Sequence, residues 1–354
     1  MRYTRSAWSA IFSRCASSAA SSDTGAFVPP LSNRLIVTEK TWSQSATRSF
    51  SQLGSLGQRR VWAQRPLRTG ISAFKTHVKV SMMHTWKVAE TSVRIPNTCL
   101  RIEAFPLFQD NYSYVLLDDS QHNADRVVVA IDPADPDTFL EYLQQRLSIG
   151  QPTHVLTTHK HWDHAGGNSE LARRFPGLVI YGGASEDVPA CTSPVHDGDE
   201  FRIAQSRLLV RVLSTPCHTR GHVCYYVRDA QAPSSAPGIV FTGDTLFIGG
   251  CGRFFEGTGA HMLQAMQKLS TLPPETFIFC GHEYTVANLE FALTVEPTND
   301  AIKEKLKEAQ RMRADNKATI PSTIGGEQQW NVFLRASDAH WMTELRERKN
   351  RFRS

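Results

Sequence analysis

The chain has 354 residues, 21% of them charged and 41% hydrophobic, a balance that excludes disorder throughout and suits roughly two globular domains. No apolar run approaches the ~20 residues a membrane helix needs, so a spanning protein is excluded. The seven cysteines are odd in number and no two stand at C-x-x-C spacing, which excludes a disulfide scaffold or a cysteine-ligated zinc finger and fits a reducing compartment. The net charge of +5 is unevenly placed: residues 1–95 hold 14 of the 39 Lys and Arg but only 3 of the 34 Asp and Glu. The remainder is mildly acidic and gives no sign of a nucleic-acid-binding surface.

Residues 1–95 read as an address. Arg2, Arg5 and Arg14 lie among Ser and Ala with no acid before Asp23, and Arg59, Arg60, Arg65 and Arg68 continue the pattern. An Arg- and Ser-rich, acid-poor leader without a long apolar centre is the composition of a mitochondrial or plastid transit peptide. The mitochondrial matrix is the expected destination, with plastid, or cytosol by a start at Met82 or Met83, as alternatives.

From about Leu100 short apolar runs alternate with turn signals. Residues 127–131 read as a buried strand ending at Asp132-Pro133, and 137–147 as a helix with Phe139, Leu140, Leu143 and Leu147 on one face. Residues 154–158 give a second strand, and Asn168 a cap for a helix running to Phe175. Further strands are expected over 178–181, 208–213, 223–227, 239–242 and 277–280, with a helix over 260–272 stopped by Pro273-Pro274. Beyond 285 the pattern is helical through Ile302, Leu306, Ala309 and Met312, broken at Pro321 and Gly325-Gly326 before a polar terminal stretch. The expected organisation is a leader at 1–95, a mixed α and β catalytic domain over 100–282, and a small helical domain over 283–354.

The chemistry concentrates in T-H-K-H-W-D-H, residues 158–164, a loop between an expected strand and an expected helix. His159, His161, Asp163 and His164 offer imidazole nitrogen and carboxylate oxygen, the donors that suit zinc, iron or manganese. Four donors so close imply two cations side by side, with His159 and His161 on one and Asp163 and His164 on the other. More donors follow three later strands: His218 in T-P-C-H-T, Asp244 in T-G-D-T, and His282 in C-G-H-E-Y. A carboxylate such as Asp244 can bridge two cations, one oxygen to each. His154 reads as structural, His222 as either orienting a ligand or ordinary packing, and His196 and His261 as surface or core residues. Cys217 and Cys251 lack any sign of a nucleophile.

The H-x-H-x-D-H loop with its spaced His, Asp and His resembles the metallo-β-lactamase superfamily. Within it, T-H-K-H-W-D-H-A-G-G-N (158–168), F-T-G-D-T-L-F-I-G-G-C-G-R-F-F-E-G-T (241–258) and C-G-H-E-Y-T-V-A-N-L-E-F-A (280–292) resemble glyoxalase II, the hydroxyacylglutathione hydrolases. E-P-T-N-D-A-I (296–302) and P-S-T-I (321–324) fall where that family keeps its helical substrate-binding domain. The resemblance implies an αββα sandwich followed by a small C-terminal helical domain. It assigns His159, His161 and His218 to one divalent metal, Asp163, His164 and His282 to the other, and Asp244 to both. Zinc is the expected pair, with iron or manganese as alternatives. Asp163 and Asp244 are thereby the carboxylates of the reacting centre. The resemblance also implies Arg253, Phe255, Tyr284 and Arg335 as substrate contacts; Arg253 stands where the family usually has Lys, and Val332 replaces the Pro of the family's N-P-F.

The implied reaction is hydrolysis of S-(2-hydroxyacyl)glutathione, typically S-D-lactoylglutathione, to D-lactate and glutathione, the second step of methylglyoxal detoxification. Two adjacent cations lower the pKa of a bridging water, and the resulting hydroxide attacks the thioester carbonyl. A thiolate leaves without a strong general acid. The expected partner is this small thioester, with no nucleic acid and no membrane span, and a monomer is expected. The alternatives are a persulfide dioxygenase-like enzyme using a single iron, and a weakly active signalling relative of the same fold.

Overall fold

A computed structural model describes residues 90–121 and 126–353. The address expected of residues 1–95 falls almost wholly outside them.

The architecture follows from alternation along the strands. In β3 (Asn111–Asp118), Tyr114 and Leu116 enter one core while Val115 and Leu117 enter another, because successive side chains of a strand face opposite sides. β3 belongs to a seven-stranded sheet with β1 (Thr91–Arg94), β2 (Leu100–Leu107), β4 (Val128–Ile131), β5 (His154–Leu156), β6 (Val179–Gly183) and β7 (Ser193–Val195), in that spatial order from β1 to β7. The first four strands pair antiparallel and the rest parallel. A six-stranded sheet runs β15–β14–β11–β10–β9–β8 from β8 (Glu200–Arg202), β9 (Leu208–Ser214), β10 (Val223–Asp229), β11 (Ile239–Gly243), β14 (Phe277–Cys280) and β15 (Ser322–Thr323). β12 (Leu246–Phe247) and β13 (Gly250–Cys251) form a small hairpin.

Three apolar clusters define four layers. The central one lies between the sheets, with Ile102, Tyr114 and Ile131 from the first against Val212, Tyr225 and Phe241 from the second. On the outer face of the first sheet, Phe105, Val115 and Ile180 meet Phe139 and Leu143 of α1 (Pro136–Leu147) and Leu171 of α3 (Asn168–Arg174); α2 (Trp162–Ala165) is a single turn before it. On the outer face of the second sheet, Cys224, Tyr226 and Ile278 meet α4 (Gly259–Ser270), α5 (Thr285–Val295), α6 (Asp300–Ala314), α7 (Ile324–Trp330) and α8 (Ala339–Arg351). This is the αββα sandwich with appended helices that the sequence resemblance implies.

Local differences have local causes. Asn168 does not cap α3; it is the first residue of that helix, fully buried, and its Nδ2 donates to Thr157 Oγ1 at 2.9 Å. Gly325 and Gly326 do not break the chain but lie inside α7, where a Cβ at Gly326 would sit 2.4 Å from the Trp330 ring. The terminal stretch is helical, since Met342 and Leu345 of α8 reach the third core at i, i+3 spacing. A last strand, β15, pairs with β14 beyond the point where strand signals fade in the sequence.

Candidate metal centre

The loops after β4, β5, β9, β11 and β14 emerge at one edge of the two sheets. There Tyr112 N–H donates to Gly281 O at 2.8 Å and Glu283 N–H to Asp110 O at 2.8 Å, so the β2–β3 turn of one sheet is bonded to the end of β14 in the other. Gly281 permits this approach: a Cβ there would lie 2.5 Å from Asp244 Oδ1 and 2.7 Å from the His164 ring.

All seven candidate ligands meet at this edge, in two overlapping groups. His161 Nδ1 lies 3.0 Å from His159 Nε2 and 3.0 Å from His218 Nε2. His282 Nε2 lies 3.3 Å from His164 Nε2 and 3.6 Å from Asp163 Oδ2. Asp244 stands between them, with Oδ2 3.3 Å from His218 Nε2 and Oδ1 3.3 Å from His164 Nε2 and 3.4 Å from His282 Nε2. Each trio, and the set His159, His164 and Asp244, converges as a cation requires.

The donors fit divalent metal ions on two further counts. Ring nitrogens bonded at about 2.0–2.1 Å to a tetrahedral ion stand about 3.3 Å apart, and the separations here run from 3.0 to 3.3 Å. Asp244 Oδ1 is buried without a hydrogen bond, an orphaned oxygen aimed into the cluster.

Partners outside the cluster fix the rings. His164 Nδ1 meets Asp132 Oδ2 at 2.9 Å, and Asp132 also accepts the N–H and hydroxyl of Thr158 at 2.8 and 2.7 Å. His282 Nδ1 meets Asp110 Oδ1 at 2.9 Å, and His218 Nδ1 donates to Arg253 O at 3.0 Å. Asn111 Nδ2 donates to Asp163 Oδ2 at 3.1 Å. With Nδ1 so occupied, Nε2 of these three imidazoles is turned inward, where it could meet a cation. His222 belongs to the same shell: its Nε2 accepts the Asp244 N–H at 3.1 Å and its Nδ1 contacts the hydroxyls of Thr215 and Thr245. Asp110, Asn111 and Asp132 carry no local sequence signature, since each acts on a residue at least 26 positions away.

Electrostatics divides the cluster. Burial holds His159 and His222 well below the usual histidine value, and His218 below it. Burial also opposes charge on His282, yet the carboxylates of Asp244 and Asp110 outweigh it and push its pKa up to about 9. His164 is raised well above its usual value against burial by Asp244 and Asp132. Against burial, His282 and His164 in turn hold Asp244 well below the usual carboxylate range. Charge on His164 and His282 is thereby favoured beside an ionised Asp244, and a cation would compete with it.

Around the mouth, Phe255 is 59% exposed with its ring 5.1 Å from that of His218 and 5.9 Å from that of His161. Tyr284, 38% exposed, stacks on His282 at 4.8 Å with the planes 4° apart. Arg253 is exposed on the same loop as Phe255, and its guanidinium makes no ion pair among the described residues. Beside it Arg346 Nη1 donates to Cys251 O at 2.9 Å, and the Lys349 ammonium, lowered to about 8 by burial and by Arg346, reaches Ala287 O. Both lie in the polar terminal stretch, where no local motif sets them apart. Arg335 is placed elsewhere: it pairs with Glu296 at 2.6 Å beyond the C-terminal end of α5, whose first turn follows Tyr284. About 18 Å of helix axis separates those two ends. His154 lies in β5, His196 is exposed beside Asp199, and His261 accepts from Thr258 N–H at the start of α4. Burial pushes the thiols of Cys217 and Cys251 up to about 12 and about 11, so neither is a ready nucleophile.

Residues 113–282 match the metallo-beta-lactamase superfamily and residues 283–352 match the hydroxyacylglutathione hydrolase C-terminus. The cytoplasmic hydroxyacylglutathione hydrolase of Arabidopsis thaliana is 42% identical over 267 residues, 72% of this chain and 100% of the relative. A hydroxyacylglutathione hydrolase-like protein of Gallus gallus is 43% identical over 240 residues, 68% of this chain and 81% of the relative. In fold alone the chain is similar to ETHE1 from Myxococcus xanthus, with a TM-score of 0.50 and 23% identity over 75% of this chain and 93% of that one. With the seven-ligand pattern, the sandwich and the appended helices in place, the chain belongs to the hydroxyacylglutathione hydrolases of the metallo-β-lactamase superfamily.

Proposed function

We propose that this protein is a thioester hydrolase that cleaves S-(2-hydroxyacyl)glutathione, with S-D-lactoylglutathione as the typical substrate, to the hydroxy acid and free glutathione. The observation that carries the reading is the split of the Asp244 carboxylate, one oxygen toward the His218 side and the other toward His164 and His282. That geometry supports two divalent ions per chain, held by His159, His161 and His218 and by Asp163, His164 and His282, with Asp244 common to both. Zinc heads the candidates and iron and manganese follow, because all three accept nitrogen and carboxylate donors. When bound, such ions acidify water to hydroxide near neutral pH and polarise a carbonyl.

The remaining work falls to the chain's own residues. Phe255 and Tyr284 flank the cluster and shield one face of the thioester from bulk water. The cations at Arg253, Arg346 and Lys349 suit the carboxylates of glutathione. No side chain need donate a proton to the departing thiolate. The buried, high-pKa thiols argue against an acyl-cysteine route.

The leader composition supports delivery to the mitochondrial matrix, and the absence of any association signal in the sequence supports a monomer. No helix among the described residues is long and apolar enough to cross a membrane. The deciding experiment follows thiol release from S-D-lactoylglutathione by purified full-length protein with metal quantified in parallel. Turnover scaling with two metals per chain supports the reading. No thiol release from metal-loaded protein, or full turnover with one iron and dependence on oxygen, overturns it.

A further inference from the structure

Glu186 is a buried carboxylate with no part in the chemistry above. Its side chain is only 1% exposed, in the turn after β6. One oxygen accepts the backbone N–H of Lys160 at 3.3 Å, the residue between His159 and His161. The other accepts the hydroxyl of Thr219 at 2.9 Å, the residue after His218. A single carboxylate thus bonds the two loops that supply every nitrogen of the first trio.

The surroundings extend the brace. Lys160 Nζ lies 3.7 Å from Glu186 and 2.7 Å from Glu256. Glu256 accepts the Arg220 N–H at 2.7 Å, and its own N–H donates to Cys217 O at 3.2 Å. Gly221 passes so close that a Cβ there would sit 2.6 Å from the Glu186 backbone nitrogen. The second trio is held by different groups, Asp110, Asn111 and Asp132, and Glu186 makes no hydrogen bond or ion pair with any of them.

We propose that Glu186, seconded by Lys160, is a positioning residue that pre-forms the first metal trio and leaves the second untouched. The proposal rests on the two-cation reading. Losing an outer partner of a metal ligand typically weakens binding about 10–100-fold. A brace shared by both contributing loops should act on one ion selectively, whereas a merely structural residue would weaken both ions together with the fold.

The test titrates zinc-loaded full-length protein with a competing chelator and follows zinc release, with the unfolding midpoint measured alongside. In Glu186→Ala one zinc should leave about 10–100-fold more easily than in the wild type, and the other should be held within about twofold. Lys160→Met, a change at a half-buried side chain, and Thr219→Val should move the same zinc in the same direction by less. In a His161→Ala background, which leaves only the second trio intact, adding Glu186→Ala should not change the affinity of the remaining ion. Equal weakening of both ions alongside a lowered unfolding midpoint, or no weakening in any of the three variants, overturns the brace while the two-cation reading stands. A wild-type chain that binds one zinc sinks that reading and the brace with it.

Discussion

His222 accepts the backbone N–H of Asp244 at 3.1 Å, so a buried imidazole fixes the peptide from which the shared carboxylate projects. Its other nitrogen faces the Thr215 and Thr245 hydroxyls, and burial keeps the ring neutral. Replacing it by an apolar ring of similar size, His222→Phe, removes the acceptor and frees the Asp244 peptide. Zinc affinity should fall about 10–100-fold with the circular dichroism spectrum unchanged; chelator competition checks this. Unaltered affinity would reduce His222 to packing.

Asp244→Ala removes the group that faces both trios. Activity should drop at least about a hundred-fold, because a two-ion arrangement would lose its common ligand. Steady-state thiol release with metal content measured in the same samples decides the matter. Near-normal turnover would undo the two-ion mechanism.

The histidines of the site should contribute most to the stability of metal-free protein near pH 6.5. His282 and His164 have raised folded pKa values, so their contribution is complete below the unfolded value of 6.5 and is lost as pH rises, for His282 through about 9. His159, His218 and His222 are depressed, so their contribution is present above 6.5 and is lost as pH falls below it. Thermal unfolding of chelator-stripped protein across pH 5 to 10, values set by the width of these windows, should trace a maximum between the two losses. Saturating zinc should flatten the alkaline limb, since above pH 6.5 bound metal would hold the ligands deprotonated. A midpoint that rises steadily from pH 6.5 to 9 would contradict the assigned directions.

Arg253 and Arg335 should separate kinetically. The Arg253 guanidinium is exposed at the mouth with no ion pair among the described residues, while Arg335 is committed to Glu296 past the far end of α5. Arg253→Gln should raise KM for S-D-lactoylglutathione about tenfold, the value of one charge-assisted hydrogen bond, with kcat changed little. Arg335→Gln should alter KM less than twofold, as expected for an exposed ion pair. The reverse order would place the glutathione carboxylates at the other end of the helix.

The parts of the site that could be read from sequence are those written locally. Residues 158–164 hold four donors in one loop, and His218, Asp244 and His282 each follow an expected strand, which is the local signal that marks them. Their outer partners were invisible because Asp132 and Asp110 act across 32 and 172 positions. Only the pairing of β3 with the end of β14 brings Asp110 to His282. The fold was legible where alternation is strict, as in β10, whose Val223, Tyr225 and Val227 face one core and Cys224 and Tyr226 another. It was obscure in α8, where so few apolar residues punctuate a charged helix that only docking on α4 gives the segment a reason to be ordered. Gly325-Gly326 misled because a helix tolerates glycine when a neighbouring indole needs the room.

Each trio draws two of its members from the first sheet's loop and one from the second's, so any ion seated there straddles the seam where the halves of the sandwich meet. Cations in this position act as rivets. A nascent chain with only its first half synthesised owns His159, His161, Asp163 and His164 but cannot close either cage. Closing both cages is thereby tied to synthesis as far as His282, and stripping any bound ions should loosen the seam before it disturbs the hydrophobic layers on either side.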